Sequence, residues 1–139
     1  MTNEKDEIEE QQPEGEPAVR VIAMPADTNM YGDIFGGWLM SHMDNAAGSV
    51  AARYAQSRAV TIAVDGMAFI RPVHVGDEVS VYAKLVHVGR TSMKLAVEAW
   101  RRTRHEDRSY RVTKAVFTFV AVGDDRRPRP IPPLEAPAS

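Results

Sequence analysis

The spacing of apolar residues changes along the chain and divides it into elements. A short apolar run at residues 19–24 predicts a strand that Pro25 ends. From residue 37 to about residue 56, apolar positions recur every three or four residues, which predicts one long helix with a single buried face. That face consists of Leu39, Met43, Ala46, Val50 and Tyr54, widened by Met40, Ala47 and Ala51.

Four strand-like segments follow the helix, at residues 59–70, 78–86, 92–100 and 110–120. Short links such as Gly76-Asp77 and Gly89-Arg90 favour antiparallel pairing of neighbouring strands. Strands of this length bend readily, and the single apolar face of the helix needs a cover. We therefore predict an α+β fold in which a curved antiparallel sheet wraps around a long central helix. An exposed edge of such a sheet favours pairing with a second copy of the chain.

Length and composition limit the class of protein. A chain of 139 residues fits one domain with a core of its own. It has no cysteine, which removes disulfides, thiolate nucleophiles and thiolate metal ligands. The polar start is not that of a signal peptide, and no apolar run approaches the roughly 18 residues of a membrane span. We expect a cytoplasmic protein that does not enter the membrane.

Charge separates three regions. Residues 1–17 hold seven acids and one base, and we predict a disordered acidic arm there. Residues 18–122 form the predicted domain, and the Pro-rich tail at 123–139 is predicted to lie extended on the surface or to trail away. Outside the arm the net charge is +4, which suits a phosphorylated ligand and equally an ordinary solvated surface. The bases at residues 101–104 lack interleaved aromatics, so we expect no nucleic-acid partner.

The helix start carries the first candidate chemistry. A polar loop at residues 27–35 leads into Gly36-Gly37, where the helix begins. The first turn of a helix has amide groups without internal partners, and the helix dipole adds to their attraction for negative charge. Two glycines let a substrate carbonyl approach that backbone closely. This arrangement indicates an oxyanion site of the kind that acyl-group hydrolysis requires.

Asp44 is the second candidate, because it lies at the border of the apolar face. A partly buried carboxylate costs free energy unless it is paired, so such a residue points to chemistry. From the helix alone, an aspartate whose side chain simply reaches water is equally well supported. Asp44 also lies about 10 Å from the Gly36-Gly37 start, too far for both to touch one carbonyl. A site shared between two subunits resolves this difficulty.

Asn29 is a third candidate, since its amide both donates and accepts and can hold a water or polarise a carbonyl. An asparagine that only forms a turn explains the same position. The four histidines have no spacing typical of a metal site, and we expect no metal. Neither a nucleophile elbow nor a phosphate-binding glycine loop is present.

Further motifs extend this set across residues 20–131. They are Met24-Pro25-Ala26-Asp27-Thr28-Asn29, Gly32-Asp33-Ile34-Phe35-Gly36-Gly37-Trp38, Met40-Ser41, Met43-Asp44, Gly66-Met67, Phe69, Arg71-Pro72-Val73, Val75-Gly76-Asp77, Thr91-Ser92 after Gly89, and Pro128-Arg129-Pro130. Together they resemble the bacterial acyl-CoA thioester hydrolases of the hotdog-fold superfamily, in the YciA-like branch. The long acidic arm and His42 depart from the family pattern.

The resemblance implies a hotdog fold, two chains paired edge to edge, and a homo-oligomer that is a trimer of such dimers. It implies that Asp44 is the catalytic carboxylate, activating water or attacking the thioester directly. Asn29 of the partner chain would position water or substrate, and the Gly37 amide, beside Gly36, would be the oxyanion donor. CoA, which is part of the substrate and product, would be the only cofactor-like group. Its contacts would come from Arg71, Gly89, Arg90, Thr91 and Ser92.

Two other functions remain open at this stage. A hotdog hydratase or dehydratase would want an Asp–His pair near the helix start, and no histidine lies between Pro25 and Met40. A non-catalytic acyl-CoA sensor would keep the pocket and lose turnover. Acyl-chain preference cannot be read from the sequence, because it depends on how the aromatic residues near the helix start pack.

Overall fold

The computed structural model describes residues 11–133 and contains one α-helix and five strands in that range. The elements are β1 (Val19–Ile22), a 3-10 turn (Pro25–Asp27), α1 (Gly36–Ala55), β2 (Arg58–Asp65), β3 (Glu78–Val88), β4 (Ser92–Arg102) and β5 (Ser109–Val122). The predicted order of strand, helix and four strands is confirmed.

The strands form one sheet in the order β1-β3-β4-β5-β2, and every neighbouring pair is antiparallel. The sheet curls around α1, which contacts all five strands. Strands β1 and β2 are therefore the two edges. Strand β2 follows the helix after only two residues and lies beside β5 at one of these edges.

Small residues bring the helix close to the sheet. The buried face of α1 consists of Leu39, Met43, Ala46, Ala47, Ala51 and Ala55. Gly48 also faces the sheet, where its backbone lies next to the Phe119 ring of β5. The predicted apolar face is confirmed, although Met40 at its margin is 41% exposed. Among residues 11–133 no helix combines the length and apolarity needed to cross a bilayer.

The prediction of a strand from residue 59 to residue 70 is too long. Strand β2 ends at Asp65, because Gly66 adopts a left-handed conformation (φ 75°) that turns the chain out of the sheet. Residues 66–73 instead form a loop that lies on β5. The three later strands are each longer than predicted, since their backbone pairing continues up to the turns.

Both terminal regions contact the domain where the structure describes them. Residues 1–10, most of the predicted arm, lie outside the described residues. At the end of the arm, Gln12 Nε2 donates to the Tyr82 hydroxyl at 2.9 Å. In the tail, the Ile131 side chain is buried among core residues, so the tail up to residue 133 is docked and does not trail away. The domain boundaries at residues 17 and 122 stay predictions.

Truncation of the helix face tests this packing. We expect Leu39→Ala to lower the free energy of unfolding by about 2–5 kcal/mol, because a buried leucine loses its contacts and leaves a cavity. Val86→Ala, at a half-exposed position of β3, is the control and should cost under about 1 kcal/mol. Urea denaturation at one protein concentration measures both. Equal losses would contradict the packing of α1 described above.

Candidate active site

The start of α1 presents amide groups to its surroundings. Phe35 precedes the helix in an extended conformation, and no side chain of the described residues caps this end. The Trp38 N–H bonds the Phe35 carbonyl at 3.1 Å, whereas the N–H groups of Gly36 and Gly37 find no acceptor within the described part of the chain. These two amides can therefore donate to a ligand.

The loop at residues 66–73 covers one side of the helix start. Thr113 Oγ1 donates to the Ala68 carbonyl at 2.7 Å and holds the loop on β5. The loop in turn lays the Phe69 ring against Gly36. A Cβ built on Gly36 would lie 3.3 Å from the Phe69 ring, tighter than an ordinary contact. Glycine at this position therefore lets the Phe69 ring pack closely against the first residue of the helix.

A cavity of about 190 Å³ opens beside these residues. Its lining is mostly apolar and consists of Ile34, Phe35, Gly36, Leu39, Phe69, Arg71, Pro72, Val73 and Val112. The floor is formed by fully buried core residues, and the half-exposed rings of Phe35 and Phe69 lie at the rim. An uncharged acyl group fits such a lining better than a charged one does.

Asp44 lies midway along α1, on the side that faces β2. Its Oδ1 accepts a hydrogen bond from the Thr61 hydroxyl at 2.5 Å, and Thr61 belongs to the edge strand. The carboxylate is half-buried. Eight residues separate Asp44 from Gly36, which is about 12 Å along the helix. As the spacing predicts, a single chain does not bring the carboxylate and the helix-start amides to one point.

The Asn29 side chain organises its own loop. Its Oδ1 accepts from the Tyr31 N–H at 2.9 Å and from the Asp33 N–H at 3.1 Å, and its backbone N–H donates to the Asp33 carbonyl. The oxygen therefore accepts from the backbone of its own loop, and the predicted contact of this amide with water or substrate stays a prediction. Within residues 11–133 the Nδ2 group has no acceptor and remains the end that a substrate or water can contact.

The residues predicted to bind CoA lie at two ends of the sheet. Arg71 lies next to the helix start, where its Nη1 donates to the Arg111 carbonyl at 2.7 Å. Ser92 lies opposite Val120, nine residues further along β5. At about 3.3 Å per residue this is roughly 30 Å. One chain therefore does not combine Arg71 with residues 89–92 in a single surface.

Arg71 has a structural role in addition to any contact with a ligand. Its guanidinium lies 5.2 Å from the centre of the Tyr110 ring, which Arg101 and Arg108 also approach, at 5.6 Å and 4.8 Å. Cations placed over an aromatic face are attracted to it. These contacts hold the loop at residues 66–73 on β5, beside the cavity.

The other predicted group forms the tight β3–β4 turn. The Gly89 N–H donates to the Ser92 carbonyl at 2.8 Å, and the Thr91 carbonyl accepts from the Ala121 N–H at 2.9 Å. Arg90 is exposed at the tip. The turn is thus anchored through its backbone, which leaves the side chains of Arg90, Thr91 and Ser92 available on the surface.

Two parts of this arrangement were not found from the sequence. Thr61 is the hydrogen-bond partner of Asp44, but no spacing links a helix position to a strand position 17 residues later. The docking of the tail against the β3–β4 turn also has no periodic signal. Within the described residues no group of three or more His, Asp or Glu side chains is arranged to hold a metal ion.

Comparison with known proteins places the chain in a family. Residues 31–107 match the family model described as the thioesterase superfamily. The chain belongs to the thioesterase superfamily. It is 57% identical to an uncharacterized acyl-CoA thioester hydrolase of Zymomonas mobilis over 96% of this chain and 90% of that protein. It is 49% identical to the acyl-CoA thioester hydrolase YciA of Salmonella typhimurium, over 86% and 92% of the two chains.

Solved structures of thioesterases share the fold. A hexameric thioesterase from Yersinia pestis matches with a TM-score of 0.82 and 50% identity, over 87% of this chain and 98% of that chain. A hexameric hotdog-fold thioesterase of Campylobacter jejuni matches with a TM-score of 0.79 and 40% identity, over 85% and 91%. The predicted hotdog fold is confirmed.

Substitution of Asn29 tests the loop before the helix. We expect Asn29→Ala to destabilise the chain by about 1–2 kcal/mol, because two backbone N–H groups lose their shared acceptor. Asn29→Asp keeps an acceptor oxygen and should cost less than half as much. Thermal or urea unfolding compares the two. If the aspartate variant were as unstable as the alanine variant, the Oδ1 contacts would not be what holds the loop.

Proposed function

We propose that this thioesterase-superfamily protein hydrolyses acyl-CoA to a free carboxylic acid and CoA. The observation that carries the proposal is the uncapped helix start at Gly36 and Gly37, combined with the Asp44 carboxylate further along the same helix. The names of its relatives, which are acyl-CoA thioester hydrolases at 57% and 49% identity, support the substrate class.

The proposed site is shared between two copies of the chain, joined through β2. Within residues 11–133 this strand has no partner on its outer side, and Val60, Ile62 and Val64 are 46%, 59% and 37% exposed. An exposed apolar edge strand is a ready template for pairing with another chain. Pairing of two identical edges around a two-fold axis is antiparallel and closes the sheet into a dimer.

Such pairing reduces the distance that separates the two halves of the site within one chain. The helix and β2 run in opposite directions, since only Gln56 and Ser57 link them. When the two β2 strands pair antiparallel, the two helices also run antiparallel. The helix start of one copy then lies at the end of the dimer where the helix of the other copy ends. Asp44 faces this shared edge through its bond to Thr61.

The reaction follows from these positions. The thioester carbonyl oxygen accepts from the Gly37 N–H beside Gly36, where the amides and the helix dipole stabilise the charge that develops on it. Asn29 Nδ2 of the same copy donates to the substrate or to water. Asp44 of the other copy takes a proton from water, the water oxygen bonds the carbonyl carbon, the C–S bond breaks, and the CoA thiolate takes up the proton. Alternatively, Asp44 attacks directly and water hydrolyses the resulting anhydride.

The wider features of the resemblance belong to the same proposal. Two structural relatives are described as hexameric, which supports a trimer of dimers for this chain. The proposed reaction needs no cofactor besides the CoA that the substrate brings, and the proposed location is the cytoplasm. A hydratase is less well supported: His42, the histidine nearest the helix start, packs its ring against Trp38 at 4.5 Å.

Replacing the carboxylate tests the mechanism. We expect Asp44→Ala to lower kcat/KM by at least about 100-fold, measured by thiol release from a panel of acyl-CoAs, because a general base or nucleophile contributes this much or more. Asn45→Ala, at the neighbouring exposed position, is the control and should retain near-normal activity. Activity of Asp44→Ala within a few-fold of wild type would remove Asp44 from its role. Wild-type protein that binds CoA but releases no thiol would instead be a sensor.

A charge on the edge strand tests the shared site. We expect Ile62→Lys to yield a smaller species in light scattering, since a lysine on an edge opposes strand pairing. Its kcat/KM should fall more than 10-fold with no change at the active-site residues. Val86→Lys, an exposed position on β3, is the control and should leave both assembly and activity intact. A dissociated Ile62→Lys chain with full activity would rule out a site built from two copies.

A further inference from the structure

The chain reverses its direction after β5 and returns along the sheet. The Gly123 N–H donates to the Arg127 carbonyl and the Arg126 N–H donates to the Gly123 carbonyl, both at 2.9 Å. Asp125 Oδ1 accepts from the Arg127 N–H at 3.0 Å, as turn-forming aspartates do. Pro128 then lies in a bridge opposite Val122. The segment that follows is thereby directed onto the β3–β4 turn.

Backbone hydrogen bonds dock this segment on the turn. The Arg129 N–H donates to the Ala121 carbonyl at 2.9 Å, and the Ala121 N–H donates to the Thr91 carbonyl at 2.9 Å. The Ile131 N–H donates to the Arg90 carbonyl at 3.0 Å. Thr91 and Arg129 therefore bond the same residue of β5, and the Ile131 bond two residues later places the tail directly beside the turn.

Two side-chain contacts attach the segment to the hydrophobic core and to the helix. The Ile131 side chain is 8% exposed and packs within the main hydrophobic core. The Tyr54 hydroxyl, near the end of α1, donates to the Pro132 carbonyl at 2.9 Å. A segment anchored at these points fixes its own backbone and also braces the β3–β4 turn, whose Arg90 carbonyl it engages.

Exposed arginines collect where the segment and the turn meet. They are Arg90, Arg126, Arg127 and Arg129, and none of the four forms an ion pair with a carboxylate elsewhere in residues 11–133. The neighbouring acids are Asp124 and Asp125, so the surface keeps a net positive charge. Guanidinium groups bind phosphate oxygens with charge-assisted, often bidentate hydrogen bonds.

In the proposed dimer, this basic surface lies at the same end as the partner's helix start. The β3–β4 turn lies at the end of the sheet where α1 finishes, because Ser92 and Arg58 pair with Val120 and Val122 near the end of β5. In an antiparallel β2 pair, the partner's helix start lies at this same end. Three strand spacings, on the order of 15 Å, separate β4 from the partner's β2. An extended pantetheine arm covers such a distance.

We propose that Arg129, held beside Arg90 by the docked tail, binds the phosphate groups of the CoA whose thioester lies at the partner's helix start. This inference rests on the proposed function, which it extends by naming the residues that recognise the nucleotide end of the substrate. The tail is then a part of the binding site. Tyr54 and Ile131 act as positioning residues that keep Arg129 and the turn in register.

The test compares acyl-CoA with the S-acyl-pantetheine of the same acyl chain, which lacks the nucleotide. We expect Arg129→Ala to raise KM for acyl-CoA by about tenfold with little change in kcat, since one charge-assisted contact to phosphate is lost. With the pantetheine thioester its kcat/KM should stay within twofold of wild type. Arg104→Ala is the matched control. It removes an exposed arginine from the opposite end of the sheet and should leave kcat/KM unchanged for both substrates.

A milder change tests the tail as a positioning element. Tyr54→Phe removes only the hydroxyl that donates to Pro132, so the core remains filled. We expect it to raise KM for acyl-CoA two- to threefold and to leave the pantetheine thioester unaffected. A purely structural role would change both substrates alike.

Other outcomes would overturn the inference. Two results would exclude Arg129 from phosphate recognition. One is that Arg129→Ala behaves like Arg104→Ala, and the other is that its kcat/KM falls equally with both substrates. Calorimetric titration with CoA separates this result from failure of the proposed function. Suppose that the wild type binds CoA without hydrolysing thioesters and that Arg129→Ala weakens this binding about tenfold. This result would support the phosphate site and contradict the proposed enzyme activity.

Discussion

The rise of the α-helix holds the Asp44 carboxylate about 12 Å from the amide groups of Gly36, and no side-chain rotation can remove that separation. The helix is stiff because its alanine-rich face packs closely against all five strands. In residues 11–133 no side chain caps the helix start, and Asp44 accepts from Thr61 of the edge strand. If both groups act on one thioester, the chemistry requires a second copy of the chain.

In the proposed dimer, the edge strand β2 connects assembly with function. Its apolar side chains stay exposed although the rest of the sheet buries its inner face, and its Thr61 donates to Asp44. A strand that is costly to leave in water and that holds the proposed catalytic carboxylate couples pairing to activity.

In the proposed dimer, the two ends of the sheet bind different parts of the substrate. The end near the helix start holds the apolar cavity, the Phe69 ring and the Asn29 loop, which suit an acyl group and its carbonyl. The opposite end holds the β3–β4 turn and the docked tail with their arginines, which suit phosphate. An extended acyl-CoA has an apolar end and a charged end. In the proposed antiparallel dimer, the helix-start end of one copy meets the acyl end, and the β3–β4 turn of the other copy meets the charged end.

Local sequence patterns determined the helix, several strand pairs and the residues of the proposed site. The period of the apolar residues predicted α1 and its buried face, the turn residues predicted the antiparallel β3–β4 and β4–β5 pairs, and Gly36-Gly37 with Asp44 marked the proposed site, because all of these depend on neighbours within a few residues. The pairing of β2 with β5 and of β1 with β3 was not predicted. The tertiary structure alone decided which groups meet across long stretches of chain. It paired Thr61 with Asp44, occupied the Asn29 oxygen, separated Arg71 from residues 89–92, and docked residues 127–133 on the β3–β4 turn. Such contacts arise from the curl of the sheet and the direction of each strand, which no spacing in the sequence records.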